Sequence, residues 1–208
     1  MRRILRAAFH RLCRTFCACL LAIPLASADL RAASEPPLTS ESEALPEYLV
    51  KAVMLYHFAR FTKWPKDAFT DSDTPVRICV LGQDPFASDL DALVSHQIRG
   101  RDIVTTRLRN ARHAKECHIL FIAESEEKRL RSILKVLVER PILTIADMDR
   151  FARLGGIIHL SIHKETVRFE INTGFAQRVG LTFSSEMLML ADIISGEIQR
   201  DRFGVLTD

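Results

Sequence analysis

Two cysteines, Cys79 and Cys117, are the side chains of this sequence best suited to covalent chemistry. The sequence has five cysteines, and the other three lie near the start, in a segment that we expect to be removed. An even number of remaining cysteines in an exported protein is typical of a disulfide. Cys79 falls inside one predicted strand and Cys117 begins another, and in a sheet of order 2-1-3 these strands are neighbours.

Neighbouring strands bring Cα atoms to about 5 Å, a distance within the range of a disulfide. We therefore predict a structural bridge between Cys79 and Cys117. A redox centre is the alternative, but catalytic pairs usually show Cys-x-x-Cys spacing and a lowered thiol pKa. This pair has no such spacing.

Other catalytic patterns are missing from the sequence. It contains no HExxH, GxSxG, GxGxxG or GxxxxGK[ST] motif. His159 and His163 share a strand face but lie about 13 Å apart, which is too far to share one metal. We therefore predict no catalytic residue, no metal ligand, no cofactor and no enzymatic activity.

Aromatic residues are concentrated in the first predicted helix, which holds both tyrosines and the single tryptophan of the chain. One helix cannot direct five large rings into one core from all its sides, and Tyr and Trp are common anchors of protein interfaces. Aromatic stripes of this kind usually pack in the core, which we expect for most of this set, and part of it is a candidate partner or dimer surface. The candidates are Tyr48, Tyr56, Phe61 and Trp64, and a second candidate surface is the polar face of a late hairpin, with Arg168, Glu170 and Asn172.

Residues 1–28 have the parts of a secretory signal peptide. Five arginines and no acid are followed by a short apolar run and by Ala26-Ser27-Ala28. We expect cleavage between Ala28 and Asp29, and an uncleaved amphipathic anchor is the alternative. Cleavage changes the formal charge from +3 to −2, because 24 basic and 26 acidic residues remain. The apparent basicity is therefore no argument for nucleic-acid binding, and we expect the mature chain not to be embedded in a membrane.

The mature chain of about 180 residues is long enough for one domain with its own core. We expect a flexible segment over residues 29–44, where Pro36-Pro37 follows small and acidic residues. The single domain is expected over residues 45–200 and a C-terminal tail over residues 201–208.

Alternating strands and helices predict an α/β fold, with a mostly parallel, doubly wound sheet of the Rossmann or flavodoxin-like type flanked by helices. A helix opens at Pro46, and Trp64-Pro65 ends it. Two alternating runs, Ile158–Ile162 and Val167–Ile171, predict a C-terminal antiparallel hairpin. The remaining predicted strands are Val76–Leu81, Asp102–Leu108, Cys117–Ala123 and Ile142–Ile145. The remaining helices run from Asp84 to Leu93, from Ser125 to Pro141 and from Ser184 to Ile198, and we expect Ser125 and Ser184 to cap the last two.

Blocks along the chain resemble, in order, those of the YfiR/HmsC family of small periplasmic regulators. They cover essentially all of the expected mature chain. The blocks are Tyr48–Phe61 with Trp64-Pro65, Ile78–Gly82, Cys117–Ile122, Leu143–Asp147 with Phe151 and Gly155-Gly156, Val167–Asn172, and Gly180-Leu181 with Ser184-Ser185 and Leu188–Ala191.

The resemblance implies a function. The best-studied members repress an inner-membrane diguanylate cyclase by binding its periplasmic sensory domain, and an outer-membrane lipoprotein can sequester the repressor. Members form dimers, and Cys79 and Cys117 match the family's structural bridge. We therefore expect a periplasmic, homodimeric repressor that lowers cyclic di-GMP output. The alternative function is a periplasmic module that binds a small molecule at the carboxyl ends of its strands.

Overall fold

A mixed β-sheet forms the centre of the protein. The computed structural model describes residues 46–163 and 166–194. The strands of this part are β1 Thr62–Lys63, β2 Val76–Leu81, β3 Gln97–Ile98, β4 Arg101–Leu108, β5 Ile119–Ile122, β6 Leu143–Ala146, β7 Ile158–His163, β8 Thr166–Asn172, β9 Thr182–Phe183 and β10 Asp192–Ile194. The α-helices are α1 Glu47–Phe61, α2 Leu130–Leu137, α3 Thr173–Arg178 and α4 Ser185–Leu190.

The strand order confirms the predicted fold class. Across the described residues, eight strands form one sheet of order β10-β8-β7-β6-β5-β2-β4-β3, and β1 pairs with β9 separately. Five strands that are adjacent in the sheet run parallel to one another, in the order β4-β2-β5-β6-β7. In contrast, β7 and β8 form the predicted antiparallel hairpin. The first three long strands have the predicted order 2-1-3, with β2 between β4 and β5.

The two faces of the sheet bury separate hydrophobic clusters. On β2, Ile78 and Val80 join the cluster beneath α1, while Cys79 and Leu81 join the cluster beneath α2. A parallel strand that is covered on both faces reads as a continuous apolar run. This is why the sequence predicted Val76–Leu81 with its observed bounds.

Helix α1 covers one face through Ala52, Leu55, Phe58 and Ala59, all of which are fully buried. It begins after Pro46, as predicted, and ends where the hydroxyl of Thr62 donates a hydrogen bond to the carbonyl of Phe58. The described residues contain no helix that is both long enough and apolar enough to span a bilayer.

The helix that we predicted between Asp84 and Leu93 is wrong. The carboxylate of Asp84 accepts a hydrogen bond from the N–H of Phe86 and forms a turn. Ala87 then has a positive φ of 48°, and only a short 3-10 helix, Asp91–Ser95, follows. A positive φ interrupts helical geometry, so the apolar spacing in this segment serves a loop that packs on the sheet.

The predicted helix after β5 has a different start. A 3-10 helix, Glu124–Arg129, leads into α2, and no side chain caps it. The hydroxyl of Ser125, which we predicted as the cap, instead accepts a hydrogen bond from the N–H of Gln83. Ser125 therefore joins the loops that follow β2 and β5.

The last predicted helix is too long. Ser184 caps α4 by accepting a hydrogen bond from the N–H of Met187, as predicted, but α4 ends at Leu190. Residues 192–194 form β10, which pairs in parallel with β8 because its β-branched residues extend the sheet. Ile198, the cleavage site at Ala28 and Asp29, and the segments 29–44 and 201–208 lie outside the described residues.

Gly156→Ala is expected to destabilise the fold, because the new methyl group would lie 2.1 Å from the ring of fully buried Phe151. We expect a loss of about 1–3 kcal/mol in the free energy of unfolding, measured by urea denaturation. Gly100→Ala is the control, since nothing lies within 4 Å of its added methyl group and only its φ of 78° is unfavourable. A loss no greater for Gly156→Ala than for Gly100→Ala would contradict the packing shown around Phe151.

Candidate functional site

The structure contains the disulfide between Cys79 and Cys117, with the two Cα atoms 5.9 Å apart. Cys79 lies inside β2 and is fully buried, and Cys117 lies two residues before β5 and is 5% exposed. Both sulfurs face the cluster beneath α2. A buried disulfide offers little access to an attacking thiolate, which favours a structural role over a redox centre.

His118 lies beside the disulfide and makes two backbone contacts. Its Nδ1 accepts a hydrogen bond from the N–H of Arg77 at 3.0 Å, so Nε2 carries the proton that is donated to the carbonyl of Ala68 at 3.0 Å. Its ring stacks on Phe69 at 4.2 Å. Burial lowers the pKa of His118, and the cations Arg77 and Arg101 lower it further. The neutral ring thus joins β2 to the segment that follows α1.

A buried ion pair joins α1 to the carboxyl end of β6. The ammonium of Lys51 is 2.6 Å from the carboxylate of Asp147 and 2.5 Å from that of Glu47, and its side chain is 4% exposed. Burial disfavours the charged amine, but the hydrogen bonds to Asp147 and Glu47 outweigh that effect and raise the pKa of Lys51. Lys51 is therefore a structural cation. The sequence does not reveal this ion pair, because a single lysine in an apolar helix gives no sign of a partner 96 residues away.

The predicted aromatic surface is divided among three places. Tyr48 donates a hydrogen bond to Asp147 at 3.0 Å, and its ring packs edge-on against Phe86. Tyr56 contacts the rings of His57 and His96. All four candidate aromatic residues are partly buried against the cluster beneath α1: Tyr48, Tyr56, Phe61 and Trp64.

Trp64 differs from the other three aromatic candidates. It packs edge-on against Phe69 and His118, at ring-centre distances of 6.1 and 6.3 Å. Its indole N–H is buried and has no hydrogen-bond partner among the described residues. The structure therefore brings Trp64 together with His118, and Phe61 with His57, rather than assembling one aromatic patch.

The predicted hairpin surface is only partly exposed. Arg168 is exposed, and Glu170 contacts Arg153 at 3.1 Å and His159 at 3.4 Å. Asn172 does not lie on the polar face, since it is 2% exposed. Its side-chain carbonyl accepts from the N–H of Phe175 and caps α3, which explains why an asparagine ends this strand.

Three apolar side chains are exposed near the end of the described chain, and we call them the terminal apolar patch: Met189, Leu190 and Ile193. Met189 and Leu190 are each 78% exposed and Ile193 is 46% exposed. Leu190 has helical spacing from Met187 and Ile194, which is why the sequence predicts one helix through this segment. Large apolar side chains that remain this exposed are candidates for a protein contact site.

No metal centre is evident in the part of the chain that the structure describes. Within residues 46–163 and 166–194, His, Cys, Asp and Glu side chains form no group of three or more that could hold an ion.

Comparison with known proteins identifies one matching family. Its sequence model, described as YfiR/HmsC-like, matches residues 48–192. Among solved structures, a conserved domain protein from Vibrio cholerae O1 biovar eltor is similar, with 11% sequence identity and a TM-score of 0.48. The similarity covers 71% of this chain and 60% of that protein, so this chain spans less than two thirds of its length.

Removal of the disulfide is expected to destabilise the protein. Cys79→Ser should lower the free energy of unfolding by about 2–5 kcal/mol, the usual cost of losing a native disulfide. Chemical denaturation of the oxidised wild type and of Cys79→Ser measures this loss, and a Cys79→Ser/Cys117→Ser variant controls for the free thiol. The same melting temperature with and without reductant would contradict a stabilising bridge.

Asp147→Asn should destabilise the protein by about 3 kcal/mol, because it removes one partner of a buried charge. The control is Glu47→Gln, whose carboxylate is 56% exposed and should contribute less than about 1 kcal/mol. Urea denaturation of both variants measures the difference. Equal losses would show that Asp147 is not the principal partner of Lys51.

Because the pKa of His118 is lowered in the native protein, the free energy of unfolding decreases as the pH falls. Below a pH of about 6.5 the unfolded chain protonates this histidine while the native chain does not. The free energy of unfolding should therefore drop by up to about 1.4 kcal/mol per pH unit, until the native pKa is passed. Denaturation between pH 8 and pH 5 should show a shallower loss for His118→Gln than for the wild type. Parallel profiles for His118→Gln and the wild type would contradict this assignment.

Proposed function

Because the chain belongs to the YfiR/HmsC-like family, whose members are periplasmic regulators of diguanylate cyclases, we propose that it represses a membrane diguanylate cyclase. It does so by binding the cyclase's periplasmic sensory domain, and thereby lowers cyclic di-GMP output. The family is generally non-enzymatic, and the proposed activity requires binding alone. A signal peptide cleaved between Ala28 and Asp29 would deliver the chain to the periplasm, where an oxidising environment favours the disulfide.

Repression by binding requires a difference in affinity. A ligand shifts a two-state sensor only if it binds the inactive state more tightly than the active state. A shift from 1:99 to 99:1 needs about 5.5 kcal/mol of such preference. A few buried apolar anchors at a contact surface can supply a difference of this size.

The terminal apolar patch is the observation that best supports a contact of this kind. Met189 and Leu190 are far more exposed than the aromatic residues of α1, whose rings are already packed against their own chain. The patch also lies at the edge of the sheet, where β10 pairs with β8 and Asp192 is in register with Glu170. Ile193 is in register with Ile171 of β8, the hairpin strand that also carries exposed Arg168, and we assign the sensor contact to this edge of the sheet.

Two further contacts belong to the proposal. The family resemblance implies a homodimer and an outer-membrane lipoprotein that sequesters the repressor. Sequestration would relieve repression by competing with the sensor, because a protein bound to the lipoprotein is removed from the pool available to the cyclase.

Leu190→Glu should abolish repression, because a carboxylate at the centre of an apolar contact would be buried without a partner. The test is cyclic di-GMP in a deletion strain that expresses either wild type or variant from a plasmid. Wild type should lower the cyclic di-GMP level and Leu190→Glu should leave it high. The control, Val138→Glu, changes a side chain that is 50% exposed after α2 and should repress as wild type does. Equal repression by Leu190→Glu and wild type, at equal amounts of protein, would contradict the assigned contact.

A further inference from the structure

A small pocket lies between the segment that follows β4 and the helical segment that follows β5. Its volume is about 200 Å³. Because β4 and β5 flank β2 in a parallel sheet, the pocket lies at the carboxyl ends of the strands, where open α/β sheets bind ligands. We call it the arginine pocket, and its charged lining residues are Arg109, Arg112, Arg129 and Glu126.

The charges of the arginine pocket favour an anion. Both carboxylate oxygens of Glu126 lie close to the guanidinium of Arg129, so the one acid of the pocket is already paired. Within the described residues, the guanidinium groups of Arg109 and Arg112 form no ion pair. Two cations are thus left to face a ligand.

The excess of positive charge is local to the segment of the chain that contributes the pocket. Residues 109–140 contain eight basic and five acidic residues, whereas the expected mature chain has a net charge of −2. A larger cavity of about 420 Å³ at the amino ends of the strands shows no such preference. There the cations Arg77 and Lys115 are matched by the acids Asp67 and Glu116.

The size and walls of the arginine pocket restrict the ligand further. At about 200 Å³ it is smaller than the roughly 300–1,000 Å³ typical of drug-sized ligands. Ala111 and Ile133 give it an apolar floor, and Val136, which is 43% exposed, forms part of its rim. The pocket suits one compact oxyanion that carries a small apolar substituent.

We propose that the arginine pocket binds a phosphate group through Arg109 and Arg112. The planar guanidinium group presents paired N–H donors that match phosphate oxygens and form charge-assisted hydrogen bonds. The group can belong to a soluble phosphate or to a phospholipid headgroup. This inference is independent of the sensor contact, because the pocket lies on segments that do not include the terminal apolar patch.

Titration of the oxidised mature protein with inorganic phosphate, followed by NMR at constant ionic strength, tests the pocket. The backbone amides of residues 109–112 should shift and saturate. Arg112→Gln and Arg109→Gln should each weaken binding by about tenfold or more, as expected for losing a charge-assisted hydrogen bond. The matched control is Arg140→Gln, which removes an exposed arginine outside the pocket and should change the affinity less than about twofold.

Co-sedimentation with vesicles distinguishes the two sources of phosphate. Binding to phosphatidylglycerol vesicles but not to phosphatidylcholine vesicles, with loss in Arg112→Gln, assigns the site to a lipid headgroup. Saturable binding of inorganic phosphate without vesicle binding assigns it to a soluble ligand. Binding of neither probe, or equal weakening by Arg140→Gln and Arg112→Gln, would overturn the proposal while leaving repression through Leu190 untouched.

Discussion

The disulfide between Cys79 and Cys117 is the constraint on which the arrangement of the sheet depends. Parallel strands cannot be joined by a tight turn, so β2 and β5 must pair across a long stretch of chain that contains β3 and β4. The bridge spans 38 residues and joins β2 to the residue that leads into β5. It therefore reduces the entropy of the unfolded chain and favours the central pairing of the sheet. His118 is the next residue after Cys117, and its ring is hydrogen-bonded to the carbonyl of Ala68 in the segment that follows α1.

The central pairing determines where polar residues can meet. Once β2 lies between β4 and β5, the loops at their carboxyl ends converge. Ser125 then bonds to Gln83, and the arginine pocket forms beside them. The ion pair between Lys51 and Asp147 adds α1 to the same end of the sheet. The aromatic rings of α1 pack partly against the hydrophobic cluster beneath this helix. The most exposed large apolar side chains of the described residues are therefore Met189 and Leu190, which precede the edge strand β10.

The sequence predicted correctly those elements whose burial produces a pattern of apolar residues within the element itself. Val76–Leu81 is apolar at nearly every position because both faces are covered, and the alternation in β7 and β8 reflects one covered face. The bridge followed from the strand order. In contrast, the spacing of Met187, Leu190 and Ile194 fits a helix as well as it fits a helix followed by a strand. The partner of Lys51 is distant in the sequence, and the lining of each pocket comes from separate segments of the chain. No local pattern could therefore identify the ion pair or the charges that remain unpaired in a pocket.

Photo-cross-linking from position 189 tests repression by contact most directly, because Met189 belongs to the terminal apolar patch and is 78% exposed. A photoreactive amino acid at this position, with a matched one at exposed Val138, would be activated in cells that express a membrane diguanylate cyclase. Repression through this edge predicts a cross-link between position 189 and the periplasmic domain of such a cyclase, with none from position 138. The absence of any cyclase among the cross-linked proteins, in cells where deletion of the chain changes cyclic di-GMP, would contradict it.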